Sequence, residues 1–401
     1  MRPSAPDAPA GPPAGGPDLA RPLRVLHLNF HRGWGGQPQR ILMLSIEMNR
    51  RGHHAAIAAP AGSMLARRAD QAGLPVFGDL SFRPPLHLIS FLRDARRLRS
   101  ILRSWSPDIV HSHGSQDTWI AVAANRWCGG PRLPHVLTRH NTKRVGDTLA
   151  NRYLYGRALD MLVVASAGVL ERYRPFIERG LVVPSRVPVI HSAIDIERFS
   201  SPGDPSRIRR ELGLSPADRL ITCVGRLVED KGQRVLLDAA ALLRERHPQA
   251  FYAFVGVGTE DANLRRQADR LGLGERVFFL GFREDVADIT AAADVSVLPS
   301  VDCDASSAVI KEAMAAGCPV VATDVGGARE ILSGAGLVVP SRDAVALSTA
   351  IDHVLSDPEA GRKFGERGRK AAGHYTAARL CDRYLEAYRS LLARRRSPRS
   401  C

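Results

Sequence analysis

Two hydrophobic rhythms alternate along the chain. Short, nearly continuous apolar runs are followed by longer stretches in which apolar side chains return every three or four residues. In the first half the runs are Arg24–Phe30, His54–Ala59, Asp108–His111, His135–Thr138 and Met161–Ala165. In the second half one begins at Leu220, and others follow at Phe251–Gly256, Val277–Gly281, Val295–Leu298 and Val320–Ala322. Such runs predict strands buried in a parallel sheet, and the helical rhythm between them predicts helices covering both faces. After the first run, the loop His31–Gln37 leads to Pro38, which suits a first helical turn. Ile41, Leu44 and Met48 then mark one buried face, and Gly52 ends the helix. The fold class is α/β, with two Rossmann-like parallel-sheet lobes facing a central cleft.

Composition sets the boundaries. Residues 1–22 are rich in Pro, Ala and Gly and read as a disordered leader. The first lobe spans 23–190, a linker 191–217, and the second lobe 218–374. Residues 375–392 form an amphipathic helix, and 393–401 a basic tail. The net charge of +15 calls for an anionic partner or surface. Six cysteines are scattered without a Cys-x-x-Cys pair, which excludes a zinc-ribbon framework and fits a reducing compartment. No run reaches the ~18 apolar residues of a membrane span, and the N-terminus has no apolar signal core. The expected location is the cytoplasm, with a peripheral contact at the inner face of the cell membrane as a further expectation.

The chemistry gathers in Pro299–Gly327, a strand–loop–helix–strand–loop unit. Ser306 or Ser307 can cap its helix, and Gly317 and Pro319 stop it. A loop between a strand's carboxyl end and a helix N-terminus favours phosphate. Asp304 and Glu312 stand eight residues apart and can accept hydrogen bonds from sugar hydroxyls. Arg226 and Lys231, in VGRLVEDKG, can clamp a pyrophosphate and stabilise charge on a leaving diphosphate. The stretch Pro299–Gly327, and most specifically its half KEAMAAGCPVVATDVGG (Lys311–Gly327), resembles the Glu-x7-Glu region of the family 4 retaining glycosyltransferases (glycosyl transferases group 1), which have the GT-B fold. The segment VPVIHSAIDIERF at 187–199 resembles the family's interdomain turn, with Ser192-Ala193 where Asn-Gly is usual.

The resemblance implies a catalytic set of Asp304, Glu312, His113, Arg226 and Lys231. Glu312 contacts the donor's ribose. Asp304 stands where the family has a Glu that contacts the donor sugar, and Ala305-Ser306 replaces the family's Gly-Phe pair. His113 touches the sugar, while His111 is assigned a structural role. Gly35-Gly36 face the donor phosphate and the acceptor. Gly258, Phe282, Arg283, Ser306 and Ser307 complete the donor contacts, Phe282-Arg283 largely through backbone and Gly258 with a plain turn as an equal alternative. Trp34, Arg139 and His140 line the acceptor side. The last helix crosses back to the first lobe. No metal or cofactor is implied; the nucleoside-diphosphate sugar is a co-substrate, and the acceptor is a glycan or a lipid-linked molecule in surface polysaccharide or glycolipid synthesis.

Several motifs carry weaker alternatives. Asp302-Cys303-Asp304 matches a metal-binding Asp-x-Asp, and His111 with His113 could share a metal if a third ligand existed. Glu330 sits at a helix start, where an acid is favoured in any case. Residues 83–105 carry six arginines and one acid, with Leu88, Phe91 or Leu92, Leu98 and Leu102 at helical spacing. They read either as a helix docking on an anionic membrane or as a solvated helix face. Rival functions are a sugar-nucleotide epimerase or hydrolase on the same fold, a binding-only relative, and a nucleic-acid-binding protein. No zinc, helix-turn-helix or RNA-binding signature supports the last of these, so no nucleic acid is expected.

Overall fold

The apolar runs become the strands of two six-stranded sheets in which every neighbouring pair is parallel. A computed structural model describes residues 21–83, 86–127, 132–142, 144–302 and 304–396. Most of the leader, Cys303 and the end of the basic tail lie outside the described residues. The first sheet holds β1 (Arg24–Leu28), β2 (His54–Ala58), β3 (Val76–Phe77), β4 (Ile109–Ser112), β5 (His135–Arg139) and β6 (Met161–Val164), in the order β3-β2-β1-β4-β5-β6. The second holds β7 (Arg219–Val224), β8 (Ala250–Val255), β9 (Val277–Phe279), β10 (Val295–Leu298), β11 (Val320–Thr323) and β12 (Leu337–Val339), in the order β12-β11-β10-β7-β8-β9.

Each lobe has its own core. In the second lobe, Ile221, Tyr252, Phe254 and Val297 from the strands meet Leu236, Leu237 and Leu347 from the helices. The helix Ala377–Arg396 does not stay with that lobe. Leu380, Tyr384, Tyr388 and Leu391 pack among Leu23, Val25, Leu44 and Ile109 of the first. Arg51 and Asp382 add an ion pair across the same contact.

The helix over 83–105 runs from Leu88 to Trp105. Phe91, Leu98 and Leu102 enter the core under β1 and β4. Of the alternatives Phe91 and Leu92, Phe91 is the buried one and Leu92 is exposed; Leu88, expected on the buried face, instead points to solvent, because the helix turns about Phe91, Ala95 and Leu98.

The lobes come into close contact where Gly168 of the first meets the Gly326 carbonyl of the second; a Cβ on Gly168 would lie 2.5 Å from that oxygen. Gly326 is also constrained on its own side. Its φ is +61°, and a Cβ there would fall 1.7 Å from the Asp304 carbonyl oxygen. The turn thus holds the Asp304 loop from below. Gly326→Ala is expected to cost about 2 kcal/mol or more from strain and forced displacement together. A thermal melt unchanged from wild type would contradict this.

Candidate active site

Strand order places the crevices. In the second sheet β7-β8-β9 run one way and β10-β11-β12 the other, so the order reverses between β7 and β10. In the first sheet it reverses between β1 and β4. Ligands of open α/β sheets settle at such switch points, outside the carboxyl ends of the strands. The loop after β7 carries Arg226 and Lys231; the loop after β10 carries Asp304 and leads into the helix Ala308–Ala316, which bears Glu312. After β1 come Trp34, Gly35 and Gly36, and after β4 comes His113.

Arg226 is exposed, and its guanidinium has no ionic or hydrogen-bonded partner among the described residues; only its carbonyl is engaged, by Gln233 Nε2 and Val228 N. Lys231 Nζ lies 2.9 Å from Asp304 Oδ2, and Ser300 Oγ donates to the same oxygen over 3.3 Å. The buried Asp304 carboxylate is therefore occupied by an ammonium, which opposes a cation at the Asp-x-Asp; Cys303 in that motif lies outside the described residues. Glu312 differs. It is half-buried, makes no hydrogen bond among the described residues, and burial pushes its carboxyl up to about 7 against the pull of Arg198 and Lys311.

Ser306 and Ser307 are both committed within the protein. Ser307 Oγ caps the helix by accepting from Ile310 N. Ser306 Oγ accepts from Ser192 N at 3.1 Å and from Lys311 Nζ at 2.7 Å, so its hydroxyl serves the interdomain turn rather than the open cleft. Lys311, wholly buried, also donates to Ser192 O at 2.8 Å and Ser192 Oγ at 2.7 Å. Burial, with Arg40 nearby, pushes its ammonium well below the usual range. Ser192, the residue in place of the usual Asn, is thus the partner of a buried lysine. Glu330 is a second joint between the lobes. Its carboxylate accepts from Ala167 N at 2.9 Å and meets His191 Nε2 at 3.0 Å. Burial raises it, but the His191 contact and the Ala167 and Gly168 amides outweigh this and hold it below its usual value.

In the first lobe four side chains form a chain of hydrogen bonds. Arg40 Nη1 is 2.7 Å from His140 Nδ1, His140 Nε2 is 2.9 Å from His113 Nδ1, and His113 Nε2 is 3.1 Å from His27 Nδ1. A guanidinium only donates, so each Nδ1 accepts and each Nε2 carries the proton. Burial lowers His27 to about 3 and keeps His113 and His140 well below their usual range, so the three imidazoles are neutral. His27 is the third imidazole that the sequence did not reveal beside His111 and His113. Yet His113 spends both ring nitrogens in this chain, and His111 spends its own on Tyr388 and Thr138. With Arg40 at the end, the cluster is built to hold imidazoles in place rather than a cation. The two rings expected at the sugar and at the acceptor, His113 and His140, are hydrogen-bonded to each other, and His113 is almost fully buried.

The remaining candidates divide. The space where side chains on Gly35 and Gly36 would stand is empty, so a ligand can approach that backbone. Trp34 is stacked by the Arg68 guanidinium, 4.0 Å from the ring centre. Arg139 has a buried Nε without a hydrogen-bond partner. Phe282 is exposed, whereas Arg283 is tied to Asp285 and Glu211, which removes its guanidinium from a donor site. A Cβ on Gly258 would fall 2.1 Å from the Leu227 carbonyl oxygen, so this glycine serves loop-on-loop packing, the turn alternative.

Comparison with known proteins agrees with this layout. The profile of the glycosyl transferases group 1 matches residues 204–371, and that of glycosyltransferase family 4 matches 34–198. A D-inositol 3-phosphate glycosyltransferase of Mycolicibacterium gilvum is 31% identical over 97% of this chain and 93% of its own length. A 2-deoxystreptamine N-acetyl-D-glucosaminyltransferase of Streptomyces fradiae is 28% identical over 93% of this chain and 98% of its own. The crystal structure of Anabaena HepE in complex with UDP-glucose superposes with a TM-score of 0.77 at 23% identity, covering 92% of this chain and 100% of the other. The two parallel-sheet lobes are those of the GT-B fold, and the chain belongs to the group 1, family 4 glycosyltransferases.

Proposed function

We propose that the chain moves a sugar from a nucleoside-diphosphate sugar to an acceptor hydroxyl, with retention at the anomeric carbon and without a metal ion. One observation carries this reading: Arg226, its guanidinium without a partner among the described residues, and the Lys231 ammonium follow β7, while Glu312, its carboxyl likewise without a hydrogen bond, follows β10 on the other side of the switch point. Two cations suit a diphosphate, and a carboxylate with free lone pairs suits a ribose diol. The UDP-glucose held by the Anabaena protein supports the same donor class. In the reaction the bond from the anomeric carbon to the phosphate oxygen breaks, and the acceptor oxygen bonds to the same face. The departing phosphate oxygen takes the acceptor's proton. Arg226 and Lys231 stabilise the charge that develops there.

The acceptor is read as a glycan or lipid-linked molecule entered from the Gly35-Gly36 side. Relatives of similar identity are named for inositol phosphate and for deoxystreptamine, so the acceptor follows first-lobe loops rather than overall similarity. No helix among the described residues is long and apolar enough to cross a membrane.

The test is a thermal-melt panel of nucleoside diphosphates and nucleotide sugars on the intact chain in EDTA. One nucleotide family at about 100 times its Kd should stabilise the protein by about 2.7 kcal/mol. No shift with any nucleotide would end the donor reading. A shift that appears only when magnesium replaces EDTA would end the metal-free part of it.

A further inference from the structure

Helix Leu88–Trp105 covers one face of the first sheet, and its outer face is left uncovered. Its N-terminal end lies at the carboxyl edge of the sheet, the edge that also carries Gly35 and Gly36. There Leu86, Leu88 and Ile89 are 95%, 62% and 87% exposed, with Leu92 exposed beside them. Further along the same face come Arg96, Arg99 and Arg103, spaced so that they stack over successive turns. Together with Ser100 and Ser104 they line a groove of about 480 Å³.

The charge of this groove is uncompensated. Asp94, the helix's one acid, is turned inward and accepts from Ser81 N, Ser81 Oγ and Phe82 N. Arg97 is paired with Asp79. Arg96, Arg99 and Arg103 have no acid and no hydrogen-bond acceptor among the described residues. Arg99 is the telling one: it is 5% exposed, and its Nε is enclosed with no partner. The exposed guanidinium groups of Arg96 and Arg103 on either side leave donors from which a phosphate oxygen can accept.

An apolar tip leading into an arginine ladder fits one partner best. A free phosphate has no use for Leu88 and Ile89, and nor has a nucleic-acid backbone. A bilayer surface uses both, since apolar side chains enter the acyl boundary while arginines hold headgroup phosphates. We propose that this stripe docks on an anionic phospholipid surface, with Leu88, Ile89 and Leu92 inserted and a headgroup phosphate seated among Arg96, Arg99 and Arg103. Docking in this way brings the cleft's first-lobe edge to the lipid surface. The proposal is independent of the donor reading, because a chain unable to bind nucleotide would dock equally.

The test is sedimentation of the intact chain with phosphatidylcholine vesicles, with and without phosphatidylglycerol. Binding is expected only with the anionic lipid. Arg96→Gln with Arg103→Gln should weaken it about 25-fold, at roughly fivefold for each arginine. Ile89→Ser with Leu92→Ser should weaken it by about tenfold or more. Equal binding to neutral vesicles, or binding to neither, would overturn the proposal. So would displacement by glycerol phosphate with no loss in the Ile89/Leu92 variant, which marks a soluble-anion site. Binding to duplex DNA in place of vesicles would overturn it as well.

Discussion

Lys231→Ala should lower kcat for sugar transfer by about 10²–10³-fold, the scale on which removal of one preorganised donor to a developing oxyanion is felt. The expectation rests on what surrounds the ammonium. Lys231 ends the short turn Glu229–Lys231, and the next residue, Gly232, has φ of +67°. A Cβ on Gly232 would lie 2.0 Å from the Pro299 carbonyl oxygen. The two loops that flank the switch point are therefore locked together, and Val301 N donates to Asp230 O across them at 2.9 Å. Asp304 then fixes the ammonium at the crevice. Asp304 thus acts at least as much on Lys231 as on any sugar, and its short side chain suits that contact. Arg226 is exposed and unanchored, so Arg226→Ala should raise the donor's KM more than it lowers kcat. Full turnover by Lys231→Ala, with only a lower melting temperature, would make the lysine an interloop strut and remove it from the chemistry.

The sheet cores were legible because their strands are buried on both faces and read as apolar runs. Val76–Phe77 and Leu337–Val339 went unread because two or three residues at a sheet edge carry no period. The acids and cations of the cleft were legible as motifs, since each follows a strand. What could not be read was which partner each side chain had taken. His27 sits inside the run RVLHLNF, and only the register pairing it with His111 brings three imidazoles together. Lys311 precedes Glu312 in an otherwise apolar helix. Its burial was the available signal, because a lysine on an inward face needs a reason. That reason is Ser192, more than a hundred residues away. Arg283 shows the converse. Its position after β9 suggested a ligand contact, but Glu211 of the linker region claims the guanidinium.

The contact through Lys311 bears on how the lobes work together. The helix Ala308–Ala316 offers Glu312 to the cleft, and from the next position it grips the interdomain turn through Ser192. Glu330, on the next second-lobe helix Ala328–Leu332, reaches His191 and the start of a first-lobe helix at Ala167. On the proposed donor reading, the helix that carries Glu312 also holds the interdomain turn through Lys311. A ligand that shifts this helix also shifts the turn, which is how a population of lobe orientations can be coupled to occupancy.

Glu312→Gln should do two opposite things, and their combination is its signature. Burial raises this carboxyl from its usual 4.5 to about 7. A folded-state value above the unfolded one means that the protonated form is favoured by folding. The stability it lends is complete below the unfolded value and is lost as pH rises through about 7. At pH 8 the ionised side chain is a burden of up to about 3 kcal/mol, so the neutral glutamine should raise the melting temperature of the empty protein there, and change it little at pH 5. Donor binding should behave in reverse. Ribose hydroxyls donate to the carboxylate, so binding selects the ionised form. In the wild type, affinity for the nucleotide should weaken about tenfold between pH 8 and pH 6, as the free carboxyl takes up its proton. In Glu312→Gln that slope should vanish, and the nucleotide-induced thermal shift should largely disappear. Melting curves and calorimetric titrations at the two pH values decide it. A variant that melts lower at pH 8, or one that binds nucleotide with the wild-type slope, would mean that Glu312 is an ordinary packed acid and that the ribose is held elsewhere.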